Sequence, residues 1–161
     1  MRTPTIYLET TIFNFPFADD APQYKADTLK LFAEIKAGKF QAFTSEYVMQ
    51  ELEDTKDTER LGRMKALIAE YGINLIPASS EIKRLADAYI AAGIIPQKFA
   101  TDALHIAAAT VTGLDYIISL NFRHIVKHKT IIETELINAR ERYKRMFIYN
   151  PSEVIDHEEN I

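Results

Sequence analysis

The chain has no cysteine, which removes two classes of site at once: a disulfide framework and a thiolate metal centre. A reducing compartment suits such a chain, and a cytoplasmic location is the expectation. It also lacks any apolar run near the roughly 20 residues that cross a bilayer, so no membrane partner is expected. Met1-Arg2-Thr3-Pro4 leads straight into a short apolar stretch, without the hydrophobic region of a signal peptide. An excess of basic charge is missing too. Nineteen Lys and Arg face twenty-three Asp and Glu, for a net charge of −4. That balance disfavours a broad, sequence-blind grip on nucleic acid. It leaves room for an enzyme that meets phosphate through a metal.

What is present suffices for one folded domain: 161 residues, 47% hydrophobic and 26% charged. Thr5-Ile6-Tyr7-Leu8 is a short run of β-formers that ends at Glu9-Thr10-Thr11. Leu31, Phe32 and Ile35 then mark a helix from about Tyr24 to Ala37, and Phe40 to Thr44 alternates like a second strand. Ser45 reads as the N-cap of a helix carrying Val48, Glu51 and Leu52. A further helix ends at Tyr71-Gly72, a third strand covers Ile73 to Ile76, and another helix runs to Gly93. After the Asp102 helix come a fourth strand at Asp115–Ser119, an ambiguous, mainly helical segment from Ile131 to Tyr143, and a fifth strand at Met146–Tyr149. Strands alternating with helices predict an α/β fold, a parallel sheet of four to five strands covered on both faces. Residues 1–154 form the expected single domain, and 155–161 an acidic tail.

The helix beginning near Thr101 carries the sharpest question. Ala103, Leu104, Ile106, Ala107, Ala108, Ala109 and Val111 leave it almost no polar face, so it belongs inside the domain. Asp102 in its first turn either caps the helix, where the dipole favours an anion, or joins other acids. In an open parallel sheet, ligands bind beyond the carboxyl ends of the strands. Glu9 follows strand one, Glu51 lies in the helix after strand two, and Asn121 follows strand four. Each has a plain alternative: a solvated strand end for Glu9, a wet helix face for Glu51, a helix cap before Phe122 for Asn121. His105, one turn past Asp102, reads as a core histidine satisfied by a backbone carbonyl. Were three carboxylates to meet, two of them ~4 Å apart would repel by about 4 kcal/mol at an effective dielectric near 20. A divalent cation is the natural remedy, and an all-oxygen, cysteine-free site favours Mg²⁺ or Mn²⁺.

Four blocks in order carry a resemblance: Tyr7-Leu8-Glu9-Thr10-Thr11, Ser45-x-x-Val48-x-x-Glu51, Asp102-Ala103-Leu104-His105-Ile106-Ala107, and Asp115-Tyr116-Ile117-Ile118-Ser119-Leu120-Asn121-Phe122. Together they resemble the blocks of a PIN domain, in its VapC-like toxin branch. The resemblance implies a three-layer α/β/α fold and a metal-dependent ribonuclease using Mg²⁺ or Mn²⁺. It also implies a cognate antitoxin as partner and a homodimer. Carried over by position, Glu9, Glu51 and Asp102 become the metal-binding acids, Asn121 a fourth site residue and Thr11 their supporting hydroxyl. Two positions depart from the pattern, since the family places Asp where this chain has Glu9 and an acid in the block where this chain offers Asn121. Those departures motivate a second reading, a catalytically weak PIN-like domain that binds a basic peptide of a partner. A metal-dependent phosphatase is the remaining alternative, though no Asp-x-Asp follows strand one.

For RNA, the run Arg123, His124, Lys127, His128 and Lys129 is the candidate phosphate grip. A second basic group lies at Arg140, Arg142, Lys144 and Arg145. Both runs also fit solvated faces. Phe13, Phe15 and Phe17 are candidates for base stacking, for the core, or, as the preferred reading, for a protein interface.

Overall fold

The computed structural model of the chain describes residues 2–157. Its first strand, β1 (Thr5–Leu8), places Ile6, Tyr7 and Leu8 wholly out of solvent. This is the burial expected of a strand covered on both sides. Glu9 ends the strand and begins a short helix, α1 (Thr10–Asn14), which a 3₁₀ turn (Phe15–Phe17) continues. There follow α2 (Pro22–Lys36), β2 (Gln41–Ser45), α3 (Glu46–Leu52), α4 (Thr58–Glu70), β3 (Asn74–Ile76) and α5 (Ser80–Ala91). The second half holds α6 (Ala100–Val111), β4 (Tyr116–Ile118), α7 (His128–Arg140), β5 (Phe147–Tyr149) and α8 (Pro151–Val154).

The strands form one parallel sheet in the order β3-β2-β1-β4-β5, with helices on both faces. β1 is therefore central, and the chain builds outward from it first to one side and then to the other. The crevice between β1 and β4 is the topological switch point, where such sheets place their ligands. Register sharpens this: Leu8 pairs with Ile118, so Glu9 and Ser119 leave the sheet side by side.

Local chemistry explains the element ends. The hydroxyls of Ser45 and Ser79 accept from the backbone N–H of Val48 and Ile82, capping α3 and α5. Gly93 and Gly113 take left-handed backbone angles (φ 76° and 75°) just past α5 and α6. There the N–H of Ile94 and Leu114 reach back to the carbonyls of Tyr89 and Ala109, closing both helices.

Several details differ from the sequence reading. No helix starts at Phe122; residues 122–127 form a turn, and Asn121 accepts from the His124 N–H (3.0 Å) within it. Phe13 is buried in the core, while Phe15 and Phe17 pack half-buried against it. The preferred interface role is therefore closed to Phe13. The ambiguous segment is helix α7, which starts three residues early because Lys127 is extended and serves as its N-cap. Ile155, placed in the tail, is buried, and the Asp156 N–H donates to Glu34 of α2 (3.1 Å). The rest of the tail, 158–161, lies outside the described residues. Among the described residues, no helix is long and apolar enough to cross a membrane.

Candidate metal centre

Glu9 sits where β1 ends, and it is buried (3% exposed) although it is a carboxylate. Three groups hold it through one oxygen: the Thr11 hydroxyl (2.6 Å), the Thr11 N–H (3.2 Å) and the Ser119 hydroxyl (2.6 Å) all donate to Oε1. The two hydroxyls are themselves fixed, since the N–H of Leu120 donates to Thr11 Oγ1 (2.8 Å) and that of Asn121 to Ser119 Oγ (2.9 Å). Thr11 thus supports the first acid directly. The strand end of β4 is locked to that of β1 through Glu9.

Glu51 comes from α3, which Ser45 starts in the required direction at the end of β2. Its Oε1 accepts from the Thr10 hydroxyl (2.6 Å) and pairs closely with His105 Nε2. His105 is completely buried on α6, and its other nitrogen, Nδ1, lies 2.7 Å from the Tyr7 hydroxyl. Its partners are thus a phenol and a carboxylate rather than the backbone carbonyl expected from the sequence. The Tyr7 hydroxyl also contacts Ser45 Oγ (2.6 Å).

Asp102 opens α6 as expected, with its side chain 13% exposed, and its Oδ2 lies 3.0 Å from His124 Nδ1. The His124 ring in turn stacks on Phe99 (centroids 4.0 Å apart). The ligand atoms of Glu9, Glu51 and His105 all lie within 4.8 Å of one another. Asp102 stands beside this trio, not within it, and takes His124 as its partner.

Electrostatics separates the acids. Burial raises the Glu9 carboxyl above its usual range, outweighing the His105 charge and the Ser119 and Thr11 hydrogen bonds that favour the anion. Burial likewise raises Asp102, against the charges of His105 and His124 and the Asn121 amide. At Glu51, burial acts in the same direction but loses to the hydrogen bond and charge of His105, so this acid is lowered. His105 mirrors it. Burial alone would lower it, and its contact with Glu51 and the charges of Glu9 and Asp102 raise it instead. The pairing of Glu51 with His105 thus favours the charged form of each, while burial makes Glu9 and Asp102 resist ionising.

The donor set fits a divalent ion. In Glu9 and Glu51 alike, the protein's hydrogen bonds fall on Oε1, leaving each Oε2 without a donor among the described residues. Carboxylate oxygens beside one imidazole nitrogen suit Mg²⁺ or, better, Mn²⁺.

The basic residues divide. Arg123 lies over the Phe99 ring (5.6 Å) beside His124. Lys127 is exposed on the same turn. Lys129 is tied to the Gly93 carbonyl (3.1 Å). In the second group, Lys144 is committed to Asp115, Arg145 to Glu135 and Arg140 to Glu141. Arg142 closes α7 with a positive φ. An apolar groove of about 570 Å³, lined by Tyr47, Ala86, Ile90 and Leu104 among others, includes none of Glu9, Glu51 and Asp102 in its walls.

The sequence reading assigns no role to Ser119, Thr10 or Tyr7, and it gives His124 a place among the RNA-gripping cations rather than beside Asp102. Ser119 was within reach, because aligning the ends of the first and fourth strands puts it opposite Glu9. The others depend on helix orientation, which one sequence does not fix.

No protein-family model matches the chain, and no curated protein matches it in sequence. A solved structure does resemble it: a chain in the crystal structure of VapBC2 from Rickettsia felis bound to a DNA fragment from their promoter. The TM-score is 0.56 at 14% identity, over 91% of this chain and 98% of that one. The shared fold is the PIN-like α/β/α sandwich.

Proposed function

We propose that the chain is a Mg²⁺- or Mn²⁺-dependent endoribonuclease, the toxin of a toxin–antitoxin pair, whose ion is held by Glu9, Glu51 and Asp102 with Asn121 assisting. The observation that carries this reading is the convergence of Glu9, at the end of β1, and Glu51, on α3, onto one switch-point crevice, each presenting an unclaimed carboxylate oxygen. A bound divalent ion supplies charge to a phosphoryl oxygen and acidifies its water. The chain's own part is orientation. Ser119 and Thr11 fix Glu9, Thr10 fixes Glu51, and His124 fixes Asp102. Asn121 sits beside Asp102 and is itself pinned by the turn that bears Arg123 and Lys127. Those two cations, with Lys129 once it leaves the Gly93 carbonyl, would meet RNA phosphates flanking the crevice. An antitoxin covering the crevice and a homodimeric assembly belong to the same proposal; the likeness to a chain of the VapBC2 complex supports an antitoxin partner.

The purified chain should cleave RNA with Mn²⁺ or Mg²⁺, stop on EDTA addition, and lose about 100-fold or more in rate as Asp102→Asn or Glu51→Gln. That figure corresponds to roughly 3 kcal/mol of transition-state stabilisation. Cleavage that survives both EDTA and the substitutions overturns the reading.

One observation favours the second reading, a binding module without catalysis. His105 Nε2 already pairs with Glu51, so one of the two converging acids has a partner within the protein. Calorimetry separates the two readings: no heat with millimolar Mn²⁺, alongside tight binding of a basic peptide, selects the module.

A further inference from the structure

Resting on the metal reading above, we propose that His105 Nε2 is itself a ligand of the divalent ion, making this a mixed nitrogen–oxygen centre that prefers Mn²⁺ to Mg²⁺. Three observations converge on it. The trio within 4.8 Å consists of Glu9, Glu51 and this imidazole, so its nitrogen stands within ligand reach of the ion those two carboxylates would hold, in addition to Asp102. The ring is also held as metal-bound histidines are held, by its far nitrogen. The Val48 N–H donates to Ser45 Oγ (3.3 Å), and the Ser45 and Tyr7 hydroxyls share a hydrogen bond of 2.6 Å. The Tyr7 hydroxyl also lies 2.7 Å from His105 Nδ1. In the ligating tautomer Nδ1–H donates to the phenol oxygen and Nε2 turns its lone pair to the cation that replaces the proton shared with Glu51. Finally, the ring is 0% exposed and tilted against Tyr7 at a centroid distance of 5.8 Å, so it is aimed before any ion arrives.

The preference follows from ligand chemistry. Mg²⁺ demands a small oxygen octahedron and parts with water reluctantly. Mn²⁺ accepts imidazole nitrogen more readily, as do the later divalent metals. A histidine needed only to balance Glu51 would have no use for a three-residue chain fixing its opposite edge.

Pulsed electron paramagnetic resonance of the Mn²⁺-loaded chain reads the ligand directly, since a coordinated imidazole imprints ¹⁴N modulation. The chain has four histidines, and His128 and His157 are exposed. A variant with His124→Gln, His128→Gln and His157→Gln leaves His105 as the sole one. Wild type and this variant should both show ¹⁴N modulation. Calorimetry should give about tenfold tighter binding of Mn²⁺ than of Mg²⁺. Tyr7→Phe, which removes only the supporting hydroxyl, should weaken Mn²⁺ by ~10- to 100-fold. Mn²⁺ bound without ¹⁴N modulation in the sole-histidine variant overturns the His105 assignment and leaves the carboxylate centre standing. No Mn²⁺ bound by the wild-type chain overturns both.

Discussion

Glu9 is a carboxylate placed at the end of a buried strand, with three donors on one oxygen. A hydrogen bond to a charged group contributes about 1.5–3 kcal/mol. Ser119→Ala should therefore cost roughly that much in chemical denaturation at neutral pH, and should raise the Glu9 carboxyl further. Ser119→Thr, which keeps the hydroxyl, should recover most of the loss. Equal losses for the two variants would mean that packing rather than the hydrogen bond matters at this position. Glu9 is also the residue at which the family pattern and this chain part. Its side chain caps its own helix start, where the Thr11 N–H donates to it.

Among the elements, α5, α6 and α7 are joined by a buried polar relay. The Tyr89 hydroxyl donates to Asn138, whose amide contacts Thr110 Oγ1 (3.4 Å), and that hydroxyl donates to the Ile106 carbonyl (2.8 Å). Tyr89→Phe strands a buried Asn138 oxygen, so a destabilisation of about 1–3 kcal/mol is expected from denaturant midpoints. A double substitution with Asn138→Leu should be milder than the sum of the two single changes. A strictly additive result would show that the relay does not act as one unit. The elements themselves were legible because their periodicity and caps agree, as in the helix from Ser79 to Gly93. What stayed illegible was rotation about helix axes. The sequence reads His105 as a core residue, yet which buried partner it meets depends on how α6 turns against its neighbours, and the same holds for Asn138 on α7. The apolar faces of these helices tolerate more than one such arrangement. The stretch after β4 failed for a different reason, since Asn121 satisfies a turn as readily as a helix start.

Across the whole molecule, Asp115 ties together segments that are far apart in sequence. Its carboxylate accepts from Arg2 (2.8 Å), from the N–H and hydroxyl of Thr5 (2.8 and 3.1 Å), and from Lys144 (2.8 Å). The Arg2 hydrogen bond first, then Lys144 and the Thr5 backbone, hold it well below the usual carboxylate range against the opposing effect of burial. Arg2 is two-thirds exposed, so its ion pair is discounted for screening, and the Thr5 bonds carry more of the stabilisation. A folded-state pKa below the unfolded one means stability that is present above pH ~3.9 and is lost as pH falls below that. Asp115→Asn should thus be less stable than wild type by about 1.5–3 kcal/mol at pH 7, with the gap closing in acid below pH ~4. Melting curves across pH would show it; a gap that does not depend on pH would refute the linkage. Glu9 and Asp102 have the opposite sign, because a raised carboxyl pKa subtracts stability as pH rises toward neutrality. On the metal reading, Mn²⁺ reverses that deficit. At a hundredfold excess over its dissociation constant it should add about 2.7 kcal/mol, or roughly 5–10 °C in melting temperature. An unchanged melting temperature would argue against an ion in the crevice. At this scale the sheet and its crevice followed from the alternation of strand and helix, while the four-way junction at Asp115 left no trace in any local pattern.

The outward growth of the sheet from β1 has a consequence for synthesis. Glu9 and Glu51 leave the ribosome within the first third of the chain, whereas Ser119, Asn121 and His124 arrive only after more than a hundred residues. A nascent polypeptide halted before Ser119 carries Glu9 without the hydroxyl beyond β4 that anchors it. The crevice is therefore completed late in translation, when the second half closes against the first.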